Sequence, residues 1–350
     1  MTQSGAPLPS GRGSLSILLC LMMAFSTLPA VDNGSSELRV IFDTDMGNDV
    51  DDALALAMLH SLESRGEVKI LAVTLTKDNA WAAPYVNLVN TFYGRGDIPV
   101  GAVRNGKTPE DSKMIRMPAE AKREDGAPLY PRRLQDGRHA PEATTLLRQI
   151  LVAEQDGAVT IIQVGFSTNL ARLLGTPGDA TSMLSGQELV ARKVRALFVM
   201  AGNFADDKAE YNIKTDLRSA QKLFNQWPTP IVASGFEVGN SIIYPARSIE
   251  NDFKYTAHHP IVDAYRAYMK MPYNRPTWDL TAVLAAVRPD REYFSLSPAG
   301  RITVTPDGKT VFAPSATGKH RCLKVDTTQR ARVLEAFLYL VTQPPAHSAR

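Results

Sequence analysis

The amino-acid sequence predicts an α/β fold, with a Rossmann-like, mostly parallel sheet flanked by helices and a small C-terminal β-hairpin. Apolar segments of strand character alternate with segments of helical periodicity over most of the chain, as in an α/β domain. Several strand segments are continuously apolar and rich in Val and Ile, which is typical of strands covered by helices on both faces. With 350 residues, of which 44% are hydrophobic, the chain can bury a large core.

The predicted elements follow one another in a regular order. The strand segments are 38–43, 68–75, 98–103, 158–164, 195–201 and 229–236. The helical segments are 51–65, 80–94, 141–155, 168–174, 216–226, 258–270 and 279–288. Segment 301–312 predicts a β-hairpin, because Asp307-Gly308 separates two strand-like runs. Segment 104–140 is long for an α/β connection and predicts either a functional lid or an irregular insertion.

The N-terminal segment has the pattern of a secretory signal peptide. Arg12 precedes the apolar segment 15–25 and small residues follow, so we predict cleavage near Ala30 and a periplasmic or secreted protein. The apolar segment is short for a membrane span, although an uncleaved anchor and a lipoprotein modified at Cys20 stay open as alternatives. The predicted organisation is a signal peptide (1–30), an α/β domain (36–342) and a flexible tail (343–350).

Charge and cysteine content narrow the classes of partner and chemistry. The formal net charge of +3, with lysine and arginine scattered along the chain, argues against a nucleic-acid partner and leaves the signal segment as the predicted membrane contact. Once the signal peptide is removed, Cys322 has no cysteine with which to form an internal disulfide. Because Cys322 ends the turn-like stretch GKHRC (318–322), we expect a structural or exposed thiol rather than a catalytic one.

Acidic and amide side chains follow the predicted strands, at the sheet edge where ligands bind in open parallel sheets. Five aspartates occupy ten positions after the first strand, namely Asp43, Asp45, Asp49, Asp51 and Asp52. Later strands are followed by Asn79 with its neighbour Asp78, Asn203, Glu210, Asn212 and Asp279. Few basic residues join them, and neither GxxxxGK[ST] nor GxGxxG occurs, which disfavours a phosphate site. Acids and amides suit a hard cation and a neutral polyhydroxylated ligand.

Three other interpretations of the aspartate cluster fit the residues less well. An EF-hand loop needs glycine at its sixth position and an acid at its twelfth, where this stretch has Gly47 fifth and Leu54 twelfth. A haloacid-dehalogenase-type phosphatase would use Asp43 as nucleophile and Asp45 as acid/base, but no clear later GDxxxD motif follows. Capping of the next helix explains one or two acids. Because crowded carboxylates repel one another, the cluster predicts a bound cation.

Four segments, in order, resemble the inosine–uridine-preferring nucleoside hydrolase family. DTDMGNDVDDALAL (43–56) resembles the family signature D-x-D-P-G-x-D-D-A. The segments VTIIQVGFSTNLARLL (159–174), VMAGN (199–203) with AEYNIKTD (209–216), and WDLTAVL (278–284) resemble later family motifs, so the similarity runs from about residue 38 to about residue 290. The resemblance implies an N-glycosyl hydrolase that cleaves nucleosides with bound Ca²⁺, in a family whose members usually form dimers or tetramers; a homo-oligomer is therefore expected.

The resemblance also implies a role for individual residues. Asp45 matches the aspartate that binds calcium and acts as general base on a water molecule. The implied calcium ligands are Asp45, Asp52, the backbone carbonyl of Val164, and Asp279. The implied substrate-binding residues are Asp51, Asn79, Met200, Asn203, Glu210, Asn212 and Trp278. The alternative on the same scaffold is a non-catalytic protein that binds a nucleoside or a sugar.

The chain departs from the family pattern at two places that bear on the site. Two extra residues separate Gly47 from the Asp51-Asp52 pair, so Asp49 is either a neighbour of the metal ligands or an alternative ligand. Trp278 stands where the family has a histidine that is thought to protonate the purine leaving group. Tryptophan can stack on a base but cannot supply that proton, so the preferred base is not fixed by the resemblance.

Overall fold

A mostly parallel sheet forms the centre of the computed structural model, which describes residues 37–346. The strands are β1 (Leu38–Thr44), β2 (Val68–Lys77), β3 (Val100–Lys107), β4 (Val159–Gln163), β5 (Val194–Met200), β6 (Ile231–Ser234), β7 (Ile243–Tyr244), β8 (Arg275–Pro276), β9 (Ser295–Leu296), β10 (Gly300–Val304), β11 (Thr310–Pro314) and β12 (His320–Lys324). Neighbours in the order β3-β2-β1-β4-β5-β6-β12 all pair in parallel. The sheet therefore has its ligand-binding edge where these strands end.

Helices follow most of the strands. They are α1 (Asp51–Ser64), α2 (Ala82–Phe92), α3 (Lys113–Glu120), α4 (Ala143–Ala153), α5 (Thr168–Leu174), α6 (Gly186–Lys193), α7 (Tyr211–Thr215), α8 (Leu217–Gln226), α9 (Phe236–Asn240), α10 (Ala246–Asn251), α11 (Pro260–Tyr268), α12 (Trp278–Val287) and α13 (Thr327–Val341), with 3₁₀ turns at Gly137–His139 and Pro289–Arg291. None of the helices within residues 37–346 is both long and apolar enough to cross a membrane.

Strand β1 shows how the sheet separates two layers of helices. Val40 and Phe42 are fully buried in one core, which includes residues of α1, α2, α12 and α13. Ile41, between them, is fully buried in the other core, which includes residues of α4, α5, α6 and α8. Successive side chains of a strand point to opposite faces, so a strand covered on both sides must be apolar throughout. This burial explains why the strand segments are continuously hydrophobic and confirms the predicted fold class.

The antiparallel part of the sheet lies at its C-terminal edge. Strands β10 and β11 form the predicted hairpin, and Gly308 in its turn has a φ of +84°, which glycine adopts without strain. The hairpin joins the main sheet, because β10 pairs antiparallel with β12. A separate two-stranded sheet joins β7 and β8. That small sheet leads the chain directly into α12, which carries part of the site described below.

Two segments differ from or refine the sequence predictions. The stretch GKHRC is not a turn at its end, because His320 and Cys322 belong to β12, which pairs with β6. Burial raises the pKa of the Cys322 thiol to about 12, so the thiol is structural. Segment 104–140 is an irregular insertion that contains the end of β3, helix α3 and a 3₁₀ turn. The predicted signal peptide and residues 347–350 of the predicted tail lie outside the described residues.

Candidate active site and metal centre

The turn after β1 brings the aspartates to the carboxyl end of the sheet. It is tight, with the Asn48 amide donating to the Asp45 carbonyl oxygen at 3.1 Å. Gly47 has a φ of +111°, and a Cβ there would lie 2.6 Å from Cδ1 of Ile115 in α3. Glycine is therefore required at this position by both backbone conformation and packing. The chain then enters α1 at Asp51, which places two carboxylates in the first turn of that helix.

Three buried carboxylates meet at this point. Asp51 and Asp52 from α1 and Asp279 from the first turn of α12 offer oxygen atoms that lie within 4.8 Å of one another. The Asp279 amide donates to Oδ2 of Asp51 at 3.0 Å and so fixes the two helix starts together. Burial, followed by repulsion from neighbouring aspartates, raises the pKa of all three carboxyls well above the ordinary value. Three such carboxylates can coexist as anions when a hard cation neutralises them.

Asp45 lines the same cavity and is positioned by its own partners. Asn48 Nδ2 donates to Asp45 Oδ2 at 2.8 Å, and Lys77 Nζ donates to Asn48 Oδ1 at 2.9 Å. Burial raises the pKa of Asp45 to about 6, and repulsion from Asp49 adds to this increase. The carboxylate is therefore held in one orientation, with a proton affinity suited to accepting a proton near neutral pH. Asp45 is outside the group of three clustered carboxylates, whereas the family resemblance implied that it joins Asp52 and Asp279.

The other two aspartates of the motif have different partners. Asp49 forms an ion pair with Arg275, whose Nε donates to Asp49 Oδ1 at 2.9 Å, so the inserted aspartate is already neutralised by a cation. Asp43 is fully buried and accepts hydrogen bonds from Thr74 Oγ1 at 2.6 Å and Asn169 Nδ2 at 2.8 Å. It does not line the cavity, as the nucleophile of a haloacid-dehalogenase-type phosphatase would have to.

A cavity of about 350 Å³ opens over these carboxylates. Its lining includes Asp45, Asp51, Asp52, Val164, Met200, Glu210, Asn212, Trp278 and Asp279, all of which the sequence had suggested as site residues. Asn212 Nδ2 donates to the carbonyl oxygens of Val164 at 2.9 Å and Met200 at 3.2 Å, which ties the ends of β4 and β5 together. The cavity thus collects residues from segments that are more than a hundred positions apart in the sequence.

Glu210 is the N-cap residue of α7 and reaches the cavity from that position. Its carboxylate accepts hydrogen bonds from the amides of Asn212 at 2.7 Å, Ile213 at 3.1 Å and Gly202 at 3.2 Å. Burial raises its pKa to about 7, against the lowering effect of these three hydrogen bonds. The rigid carboxylate and the neighbouring Asn212 amide form a polar wall suited to hydroxyl groups.

Aromatic side chains form another part of the lining. Phe236 and Trp278 stack with ring centroids 5.6 Å apart at an interplanar angle of 27°, and Trp278 Nε1 donates to the Phe236 carbonyl oxygen at 3.1 Å. Tyr211 and Tyr268 also line the cavity. A Cβ on Gly239 would lie 2.3 Å from Cα of Trp278, so the close approach of α9 and α12 depends on that glycine. Flat apolar surfaces of this kind suit a planar ring.

Asn79 and Asn203 do not line this cavity. Asn79 donates to the carbonyl oxygens of Pro109 at 3.3 Å and Glu110 at 3.0 Å and so ties down the insertion after β3. Asn203 donates to Asp206 at 2.6 Å and accepts from the Ala205 amide at 3.1 Å within a turn. Both side chains stabilise loops at the rim of the sheet, and contact of either with a substrate stays a prediction.

The sequence did not identify five of the lining residues as contacts. Asn48, Tyr211, Phe236, Tyr268 and Arg275 line the cavity together with the predicted residues. Phe236 lies at the carboxyl end of a predicted strand, and Tyr211 lies between two predicted residues, so position alone could have suggested them. Tyr268 and Arg275 lie at the end of α11 and in the short strand β8, and the sequence offers no comparable signal for either.

Comparison with known proteins shows similarity to nucleoside hydrolases in both sequence and fold. A family model described as inosine-uridine preferring nucleoside hydrolase matches residues 40–337. Solved structures that share the fold include the following three. A plant nucleoside hydrolase is 22% identical, with a TM-score of 0.62 over 87% of this chain and 99% of the other. An inosine-uridine preferring nucleoside hydrolase from Bacillus anthracis is 19% identical, with a TM-score of 0.64 over 87% and 99%.

The third is a purine-preferring ribonucleoside hydrolase from Gardnerella vaginalis, which is 17% identical, with a TM-score of 0.62 over 87% of this chain and 98% of the other. No curated protein sequence matches the chain at a significant level. At these identities the likeness to solved structures establishes a common fold, while the family match covers most of the sequence.

Proposed function

Because this chain belongs to the inosine-uridine preferring nucleoside hydrolase family and is therefore an N-glycosyl hydrolase, we propose that it cleaves ribonucleosides into ribose and free base with Asp45 as general base and Ca²⁺ as its metal. The observation that carries the proposal is the meeting of three buried carboxylates, Asp51, Asp52 and Asp279, with Asp45 in one cavity. A protein that only bound a nucleoside would not need a general base held in this way.

The donor atoms of the site fit a hard divalent cation. Asp52 and Asp279 would hold the metal together with the Val164 carbonyl oxygen, and Asp45 and Asp51 lie in the same cavity. Calcium prefers carboxylate and carbonyl oxygens, and thiol or imidazole ligands are absent from the cavity lining among the described residues. When bound, the cation supplies positive charge that offsets the carboxylates and lowers the pKa of a nearby water molecule.

Asp45 supplies the proton acceptor in the reaction. Its carboxylate accepts the proton of the attacking water, while Asn48 keeps the acceptor oxygen in place. The hydrogen bond from Lys77 to Asn48 orients the Asn48 amide, since its oxygen faces the lysine and its nitrogen faces Asp45. The elements β1, β2 and the turn between β1 and α1 thus cooperate in positioning one oxygen atom.

The polar wall binds the sugar and the aromatic wall binds the base. Glu210, Asn212 and Asp51 offer acceptors and donors for the ribose hydroxyls, and Met200 contributes an apolar surface beneath the ring. Positive charge develops on the sugar as the glycosidic bond breaks, and the surrounding carboxylates stabilise it. Trp278 and Phe236 provide flat surfaces on which the base can stack.

The cellular setting is proposed from the sequence. The segment 1–30 would direct the chain to the periplasm or the medium, so that its substrates would be nucleosides outside the cytoplasm. Assembly into a homo-oligomer is proposed from the family resemblance.

A ribose-release assay over a panel of purine and pyrimidine ribonucleosides tests the proposed function. We expect the wild-type protein with added Ca²⁺ to release reducing sugar from at least one member, and Asp45→Ala to lose at least about 1,000-fold in kcat. The matched control is Asp216→Asn, since Asp216 is a buried acid that accepts a hydrogen bond from Thr168 at 2.5 Å outside the cavity. Absence of ribose release from the whole panel would refute the proposal.

A further inference from the structure

Arg275 is the one cationic side chain in the cavity lining among the described residues, and it is held from several sides. Its Nη2 donates to the carboxylate of Asp49 and, at 3.1 Å, to the Tyr268 hydroxyl. Its guanidinium carbon lies 5.2 Å from the ring centroids of both Tyr268 and Trp278. The guanidinium is therefore fixed in place by the fold before a ligand binds.

Part of the hydrogen-bonding capacity of Arg275 is not used by the protein. A guanidinium carries five N–H donors, and Nε and Nη2 account for the bonds to Asp49 and Tyr268. Nη1 donates to no residue within the described range 37–346, although the side chain is only 22% exposed. A fixed, half-buried cation with free donors at a cavity wall can bind an acceptor that carries negative charge.

The aromatic wall lacks a group that could protonate a departing base. The indole N–H of Trp278 already donates to the Phe236 carbonyl oxygen. Burial raises the pKa of both Tyr268 and Tyr211, with added repulsion from Asp49 on Tyr268 and from Asp45 on Tyr211, which makes both hydroxyls poor proton donors. Negative charge that develops on the base as the glycosidic bond breaks is therefore not neutralised by the aromatic wall, and a preorganised cation beside that wall is an effective means of stabilising it.

We propose that Arg275 contacts the nucleobase and stabilises it as the departing anion, through the N–H groups that the protein leaves free. This inference rests on the proposed function. In the step, the bond between ribose C1′ and the base nitrogen breaks and its electron pair stays on the base. The oxygen of water bonds to C1′, and Asp45 takes the water proton. The base anion then takes a proton from solvent, and Asp45 returns its proton to solvent. Asp49 acts as a positioning residue for Arg275.

The test compares substrates whose leaving groups differ in their stability as anions, and therefore in how much stabilisation by the enzyme they require. Inosine and uridine release poor leaving groups, whereas para-nitrophenyl β-ribofuranoside releases a stable anion. We expect Arg275→Met to lower kcat about 100-fold more on inosine and uridine than on the nitrophenyl riboside. Arg275→Lys keeps the charge but not the planar set of donors of arginine. We expect it to lower kcat about 10-fold more on inosine and uridine than on the nitrophenyl riboside.

A matched control is available in a second arginine with the same kind of partner. Arg288 makes a two-point ion pair with Glu67, with both hydrogen bonds at 2.7 Å, outside the cavity. We expect Arg288→Met to keep the wild-type ratio between kcat on each nucleoside and kcat on the nitrophenyl riboside. Equal losses on all substrates in Arg275→Met and Arg275→Lys would show that Arg275 only holds Asp49 and the surrounding structure in place, which would overturn the inference.

The same assay separates this inference from the proposed function. If the wild-type protein hydrolyses neither these three ribosides nor any other member of the ribonucleoside panel, the proposed function is wrong; if it hydrolyses a nucleoside other than inosine and uridine, that nucleoside takes their place in the comparison. If it hydrolyses them and the Arg275 variants keep the wild-type ratio of rates, the proposed function stands and the role of Arg275 is wrong. If Arg275→Met does not fold, the ratio measured for Arg275→Lys decides, because lysine preserves the charge opposite Asp49.

Discussion

Replacing Asp52 with asparagine should make the metal-free protein more stable and remove its response to calcium. Asp52 is fully buried with Asp51 and Asp279 around it, at oxygen separations within 4.8 Å. At an effective dielectric constant near 20, two unit charges at this separation repel by about 3 kcal/mol. Because the cluster can relieve part of this repulsion by binding protons, we expect Asp52→Asn to raise the free energy of unfolding by about 2 kcal/mol.

The stability that Asp52→Asn gains over the metal-free wild type should decrease as the pH is lowered. Burial, then Asp45 and Asp51, raise the pKa of Asp52 well above its ordinary value of 3.8. The folded protein therefore binds a proton more tightly than the unfolded chain, and the penalty of the charged form disappears as pH falls through the raised pKa. In chelator, Asp52→Asn should exceed the wild-type Tm by about 4 °C at alkaline pH, and the difference should shrink toward acidic pH.

Calcium should reverse the order of thermal stability, so that the wild type has a higher Tm than Asp52→Asn. A ligand at a hundredfold excess over its Kd stabilises the folded state by about 2.7 kcal/mol, which corresponds to about 5 °C in Tm for a domain of this size. Thermal unfolding followed by circular dichroism, in chelator and with Ca²⁺, measures both effects. Asp216→Asn, at a buried acid outside the cavity, should keep the full calcium response. The reasoning is refuted if Asp52→Asn is stabilised by Ca²⁺ as strongly as the wild type, or is less stable than it in chelator.

Three further predictions concern other parts of the structure. Asn48→Ala removes the donor to Asp45 and should lower kcat about tenfold with little change in KM, as measured by steady-state kinetics. Trp278→Ala removes a stacking surface and should raise KM for nucleosides about tenfold, while binding of free ribose, followed by calorimetry, stays unchanged. His60 is fully buried, and burial lowers its pKa from 6.5 to about 3. Below neutral pH the unfolded chain therefore binds a proton at this histidine that the folded protein does not bind, so the free energy of unfolding decreases as the pH is lowered. Relative to His60→Gln, the wild type should lose about 2 kcal/mol between pH 7.5 and pH 5, as measured by urea unfolding; a constant difference would show that His60 is not buried in its neutral form.

The layers of the fold were predictable because they depend on local patterns. Continuous apolar strands such as β1 and apolar helices such as α1 can be recognised from the local sequence. Twelve of the fourteen residues of α1 are buried, which agrees with its apolar sequence. Helix α13 was missed, although its capping box at Asp326 and Gln329 is a sequence signal that could have revealed it. Strand β12 was also missed, because its pairing with β6 joins residues almost ninety positions apart and no local pattern encodes such a contact.

The acidic half of the site could be predicted, and the cationic half could not. The aspartates of α1 and Asp279 follow strands or open helices, where parallel-sheet geometry gathers ligands. Arg275 reaches Asp49 across 226 sequence positions, and this ion pair depends on the two-stranded sheet that precedes α12. The pair also answers the question raised by the inserted residues, since Asp49 is bound by an arginine and not grouped with Asp51 and Asp52.

Hydrolysis of a ribonucleoside in oxygen-18 water tests the central claim most directly. The wild-type protein with Ca²⁺ is incubated with the best substrate of the panel, and the products are analysed by mass spectrometry. The account predicts equal amounts of free base and free ribose, with one oxygen-18 atom in each ribose, and loss of both products in Asp45→Ala. Intact nucleoside, or ribose released without the labelled oxygen, would contradict it.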